Sequence, residues 1–176
     1  MRLDAKAAVA RASPGDATAI AALHRAVAET LTARHGKGHW SHMPSESGVR
    51  RSIETSIVLV ARRRRRLVGT LRLATKKPWA IDPSYFIAVK RPLYLLDMAV
   101  APEAQGQGVG RVLVEEARRI AREYPAGSIR LDAYDSAAGA GAFYAKCGFK
   151  EVGRVVYRDT PLIYFEWLCE QQRWPG

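Results

Sequence analysis

Leu93-Tyr94-Leu95-Leu96-Asp97-Met98-Ala99-Val100, then Ala101-Pro102-Glu103-Ala104, then Gln105-Gly106-Gln107-Gly108-Val109-Gly110-Arg111, is the stretch whose reading decides the fold. Its opening is a mostly apolar run, the pattern of a buried strand. Pro102 cannot donate to a ladder and ends that strand. The glycines let the backbone turn tightly, and Val112 to Tyr124 continue as an amphipathic helix. A strand, a Gly-rich turn and a helix start make several backbone N–H groups converge on one point, which is where phosphate binds. From the glycines alone, a plain strand-to-helix turn is an equally good reading. No Gly-Lys-Ser or Gly-Lys-Thr follows, so the turn is not a Walker loop, and the dinucleotide fingerprint lacks its third glycine.

Working outward, the helix after Gly110 brings Val109, Val112, Leu113, Ala117, Ile120, Ala121 and Tyr124 to one face, with Arg111, Glu115, Arg118 and Arg122 opposite. Upstream, Ala7 to Ala12 read as a short strand, and Ser13-Pro14-Gly15-Asp16 as a turn that caps a helix from Ala17 to about Arg34. The segment His35 to Pro44 reads as a loop and Glu46 to Glu54 as a second helix. Ile57 to Ala61 and Leu67 to Leu73 flank the run Arg62 to Arg66 as a hairpin. Thr75 to Arg91, with two prolines and several aromatics, reads as an irregular insertion packed on the core. Downstream come a strand at Ser128 to Tyr134, a helix at Ala137 to Lys146 stopped by Gly148, and strands at Phe149 to Tyr157 and Leu162 to Leu168. This order predicts a mixed, partly antiparallel α/β sheet.

The chain has 176 residues, 48% hydrophobic and 26% charged, which fits one domain over 1–176 with a core from about 7 to 168. No apolar run reaches membrane-spanning length and no signal peptide is evident, so the expected compartment is the cytoplasm. Cys147 and Cys169 form no disulfide framework or metal motif and read as free thiols. Twenty-eight Lys and Arg against seventeen Asp and Glu leave a net charge of +11, which attracts anionic partners. Nucleic acid is not the expected partner: alternate arginines of a hairpin point to opposite sides, and no aromatics interleave with them to stack bases.

Gln105-x-x-Gly108-x-Gly110, after a strand ending Met98-Ala99-Val100-x-Pro102, resembles the acetyl-coenzyme A loop of the GNAT-type N-acetyltransferase family. Ala140-Gly141-Ala142-Phe143-Tyr144-Ala145-Lys146-Cys147-Gly148-Phe149 resembles that family's second signature, in the right order. The resemblance implies a central sheet of six to seven strands splayed at its two middle parallel strands, Leu93 to Val100 and Ser128 to Tyr134, with about four flanking helices. It also implies that pantetheine pairs with Met98, Ala99 and Val100, and that the amides of Gln105, Gly106, Gln107, Gly108, Val109, Gly110 and Arg111 hold the pyrophosphate. The Val100 N–H then polarises the thioester carbonyl. Where the family often carries an asparagine, this chain has Ala137, and Ser136 is placed to take part of that cofactor contact.

The resemblance makes Tyr144 the proton donor to the leaving thiolate, against the alternative of a packing aromatic beside Phe143. Asp132, twelve residues before Tyr144, matches the acidic base of members that acetylate protein N-termini. Alternation puts it on one strand face with Arg130 and Tyr134, and puts Asp97 in register with Leu95 and Ala99. Each carboxylate reads either as the base or as a structural partner of an arginine. His39, Trp40 and His42, and Trp79, Tyr85 and Phe86 in the insertion, are candidate substrate contacts or packing residues. No carboxylate or thiol is suitably spaced with the histidines, so no metal is expected.

The function these readings imply is acetyl transfer from acetyl-coenzyme A to a primary amine by direct attack. The acceptor is a small molecule, or a protein α-amine or lysine, or, on the charge alone, an aminoacyl group on RNA. A non-catalytic acyl-coenzyme A binding module is the competing class. Monomer and homodimer both remain open, with the C-terminal strand and Trp167 as a candidate dimer edge.

Overall fold

A computed structural model describes residues 6–169, which form seven strands and four helices. In chain order these are β1 (Ala8–Arg11), α1 (Ala17–His35), α2 (Glu46–Thr55), β2 (Ile57–Arg63), β3 (Arg66–Ala74), β4 (Leu93–Val100), α3 (Val109–Glu123), β5 (Ser128–Tyr134), α4 (Gly141–Lys146), β6 (Lys150–Tyr157) and β7 (Thr160–Leu168). The strands follow the order β1-β2-β3-β4-β5-β7-β6. Pairing is antiparallel for β1 with β2, β2 with β3, β5 with β7, and β6 with β7. Parallel pairing of β4 with β5 runs through Leu93–Ile129 and Tyr94–Arg130. The mixed, partly antiparallel α/β sheet expected from the sequence is thus the one observed.

The chain divides into two units. The described residues of the first are 6–73 and 97–116. After β1, Ser13 donates its N–H to Asp16 at 2.8 Å, in a turn that feeds α1. Ile20 and Ala21 of α1 pack with Val49 of α2 and with Val58 and Val60 of β2, so both helices bury their apolar stripe on the hairpin. The hairpin turns at Arg64 and Arg65, both left-handed (φ 49° and 68°), which suits the twist of the flanking strands. Gly69 is required by close approach: a Cβ there would lie 2.8 Å from Val109 and 3.0 Å from Leu113 of α3.

The described residues of the second unit are 74–96 and 117–169. Ile81, Phe86, Tyr94 and Tyr164 form one buried cluster in it, with Val152 and Val155 packed against them. Insertion and strands are joined by a buried ion pair: Arg130 Nε donates to Glu166 at 3.0 Å, and the two side chains are only 6% and 0% exposed. The other Glu166 oxygen accepts the Ile87 N–H at 3.1 Å, while Arg130 donates to the Ile87 carbonyl. Pro78 and Pro83 cannot donate to a ladder, and these bonds satisfy the backbone of Ile87 in place of one.

Several expectations shift. α3 starts at Val109, before Val112, because left-handed Gly108 (φ 82°) turns the chain directly into the helix. Its buried stripe includes Val114, whereas Tyr124 is exposed and Val112 half-buried. α4 starts at Gly141, after Ala137, because Gly139 turns back on Tyr134 so tightly that a Cβ would lie 1.8 Å from its carbonyl oxygen. β7 is no dimer edge: it is paired on both sides, and Trp167 packs under Arg118 and Arg122 at 4.9 and 5.4 Å. On that side of the sheet the outer strand is β6, and on the other it is β1.

Candidate active site

In the first unit, β4 delivers Met98, Ala99 and Val100 to an exposed turn of Gln105, Gly106, Gln107 and Gly108, and α3 begins at once with buried Val109 and Gly110 and exposed Arg111. Gly106 and Gly108 are left-handed (φ 73° and 82°), and the space a Cβ would enter is open at both. This is a cradle a bulky anion can approach, at the positive end of a helix of fifteen residues. Side chains brace it. Gln105 donates to the Val100 carbonyl at 3.1 Å and Gln107 to the Glu103 carbonyl at 2.8 Å. From the hairpin, Arg63 donates to the Gln107 side chain and Arg66 pairs with Glu103.

Asp97 departs from the expected alternation. Its φ of 50° disturbs the alternation within β4, so it is exposed while Leu95 and Ala99 are buried, and its Oδ2 accepts from Arg72 Nε at 2.6 Å. A non-glycine residue held left-handed costs about 1–3 kcal/mol. Sequence reasoning missed His24. Burial lowers its pKa below 6.5, partly opposed by the charge of Asp97, so the ring stays neutral at physiological pH. A signal was available: His24 lies one turn from Ile20 and one turn from Ala28, on the apolar stripe of α1. His39 and His42 are exposed. Trp40 folds over its own loop, donating to the Gly36 carbonyl at 3.0 Å.

In the second unit, Tyr144 is 6% exposed and packs edge-on to Phe143 and Phe149, at 5.3 and 5.8 Å. Burial first, and then the charge of Asp132, push its phenol far above the ordinary 10, so it carries its proton at every physiological pH. Asp132 is half-buried on β5, paired across the ladder with Tyr164 of β7. Ser136 is exposed in the turn before α4, its carbonyl accepting the Gly139 N–H at 2.9 Å.

Trp79 and Tyr85 meet in an open groove of about 420 Å³ with Asp82, Val156, Tyr157 and Tyr164. Trp79 is 84% exposed, so it is not a packing residue, and Tyr85 is 43% exposed. Phe86 is buried against Tyr164 at 5.3 Å. Among the described residues no group of three His, Cys, Asp or Glu is placed to hold a metal ion. Among them, too, no helix is long and apolar enough to cross a membrane. Cys147 and Cys169 are buried thiols.

The first unit thus presents a left-handed glycine turn that opens a helix. The acetyltransferase (GNAT) domain model matches residues 54–151, more than half of the chain, and the chain belongs to that family. None of the curated proteins matches it by sequence. Solved structures share its fold. A ribosomal-protein-alanine N-acetyltransferase from Brucella melitensis is 21% identical over 92% of this chain and 99% of its own, with a TM-score of 0.71. The PaiA N-acetyltransferase from Thermoplasma acidophilum, solved with coenzyme A, is 17% identical over 92% and 99%, with a TM-score of 0.70. Aminoglycoside 6′-acetyltransferase type Ii is 16% identical over 94% and 99%, with a TM-score of 0.68.

Proposed function

We propose that the chain works as a single cytoplasmic domain that transfers an acetyl group from acetyl-coenzyme A to a primary amine carried by a small molecule. The open turn at Gly106 and Gly108, braced by Gln105 and Gln107, is the observation that carries this reading. Its amides and those of Val109 to Arg111 hold the pyrophosphate, Met98 to Val100 pair with the pantetheine arm, and Ser136 adds a polar contact. Acetyl-coenzyme A supplies the acetyl group already activated as a thioester. The Val100 N–H steadies the negative charge that develops on the acetyl oxygen.

Asp132 takes the proton that makes the amine nucleophilic. Asp97 is the second candidate, but it must give up Arg72 to serve, which favours a positioning role. Tyr144 donates its O–H to the departing sulfur. A phenol pushed up this far does not surrender its proton outright to a thiolate, whose ordinary pKa is about 8.5. It therefore steadies the sulfur by hydrogen bonding, and the proton shed by the nitrogen balances the reaction.

The size of the groove at Trp79 and Tyr85 supports a small acceptor, since ligand sites span roughly 300–1,000 Å³. A protein α-amine is the second reading, favoured by the spacing of Asp132 to Tyr144. Thiol release measured against a panel of small amines and peptides with free N-termini, beside a thermal-shift titration with coenzyme A, tests both. Turnover on a small amine with a cofactor-induced rise in Tm is expected. A rise in Tm without turnover on any amine would leave a binding module, and no rise would sink the cofactor assignment. Tyr144→Phe should lower kcat about a hundredfold with little change in KM for acetyl-coenzyme A; unchanged turnover would remove Tyr144 from the chemistry.

A further inference from the structure

The groove beside the insertion is unusual for this chain. On a protein of net charge +11 its rim carries a carboxylate, Asp82, and its walls are aromatic. The Ser84 N–H, donating at 2.9 Å, holds the Asp82 pKa below the usual carboxylate range, and Lys77 adds to the effect. Lys77 itself spends its ammonium on the carbonyls of Pro78 and Ile81, at 3.0 and 2.8 Å. The Trp79 indole stands open beside exposed Val156.

The walls are built rather than accidental. Tyr85 packs against Gly153, where a Cβ would come within 2.3 Å of the ring, and meets Tyr164 edge-on at 5.4 Å. The Tyr164 hydroxyl donates to the Ala80 carbonyl and accepts the Asp82 N–H at 3.2 Å. Behind them, Arg130 and Glu166 tie Ile87 to the strands. One face of Tyr157 is already covered by Arg158 at 5.3 Å, and Trp79, at 84%, is more open than Tyr85.

We propose that this groove receives an organic cation, an alkylammonium or guanidinium group held over Trp79 and against Asp82, and that this cation is the second charged group of the acceptor amine. The identification with the acceptor rests on the N-acetyltransferase reading above. Trp is the best cation–π platform among the side chains. Because the net charge of the chain repels cations elsewhere, a carboxylate beside an open indole discriminates in their favour. Reach supports the link. Tyr164, in the groove wall, is the cross-strand partner of Asp132, and such partners hold their Cβ atoms about 5 Å apart. A diamine can therefore present one nitrogen to Asp132 and the other to the groove.

Two measurements on the full chain test this. Tetramethylammonium, which cannot be acetylated, is titrated while the Trp79 indole N–H is followed by NMR, with Trp79→Phe assigning the signal and Asp82→Asn as the variant. The ratio of kcat/KM for an α,ω-diamine to that for the monoamine of equal length is then compared between the natural chain, Trp79→Ala and Asp82→Asn. Saturable shifts, weakened about tenfold by Asp82→Asn, and a diamine preference that falls about tenfold in each variant are expected. Trp79 and Asp82 are exposed, so neither variant threatens folding. No shift of the Trp79 signal, or a preference that both variants leave intact, overturns the proposal. A loss seen in Trp79→Ala but not in Asp82→Asn also overturns it, in favour of an apolar contact. Saturable tetramethylammonium binding in a chain that turns over no amine sustains the cation site and refutes the acetyltransferase reading instead.

Discussion

Two irregular segments of the molecule are held by arginines, and they differ in where those arginines lie. In the first unit, Arg66 pairs with Glu103 beside the glycine turn, with side chains 72% and 51% exposed, and Arg63 reaches Gln107 from the same hairpin. In the second, Arg130 and Glu166 anchor the insertion at 6% and 0% exposure. The chemistry is the same but its surroundings are not. Exposed pairs gain little over hydration and leave a loop free to adjust to a ligand. A buried pair has lost its water, so each partner depends on the other, and the segment it holds becomes a fixed wall.

The largest effect should come from breaking the buried pair. Glu166→Ala leaves Arg130 uncompensated and the Ile87 N–H without its acceptor, and should cost about 3–5 kcal/mol in denaturant unfolding. The double change Arg130→Met with Glu166→Leu should cost distinctly less, because no buried charge is left alone. If the single and double variants are equally destabilised, charge burial is not what makes this anchor matter. At the exposed anchor, Arg66→Ala should cost less than about 1 kcal/mol, and the difference should fade at 1 M salt, where the Debye length is about 3 Å. A salt-independent loss would mean the two anchors are alike after all.

The smallest effect concerns acidity. Because burial lowers the His24 pKa in the folded chain, the unfolded chain binds the proton more readily below 6.5. Stability is therefore full above that value and is lost as pH falls through the lowered folded one. His24→Gln should flatten this acid limb in a series of melting temperatures from about pH 8 to about pH 5. A limb as steep as that of the natural chain would assign the acid sensitivity elsewhere.

Most of the fold was legible in the sequence because strand and helix periods are local properties. β4 and β5 fall at the predicted residues, as does the hairpin around the arginines. What was not legible depends on partners remote in sequence. The late start of α4 follows from Gly139 folding onto Tyr134, and the place of β7 inside the sheet follows from its pairing with β5 and β6. The candidate site divides the same way. Its glycines and Tyr144 announce themselves by motif, whereas His24 and Asp82 carry no motif and matter only for what the fold sets beside them. Asp97 is the sharpest case. Alternation alone grouped it with Leu95 and Ala99, and its left-handed backbone, which no periodicity encodes, separates it from them.

The turn at Arg64 and Arg65 also bears on how the chain meets a protease. Two consecutive exposed arginines are an inviting target for trypsin, yet both are left-handed, and a protease must draw its substrate out as an extended strand before cutting. Cleavage there requires the end of the hairpin to open first. The rate of tryptic nicking at this dipeptide is thus a clock for local fraying of β2 from β3, and a ligand that settles the neighbouring glycine turn should slow it.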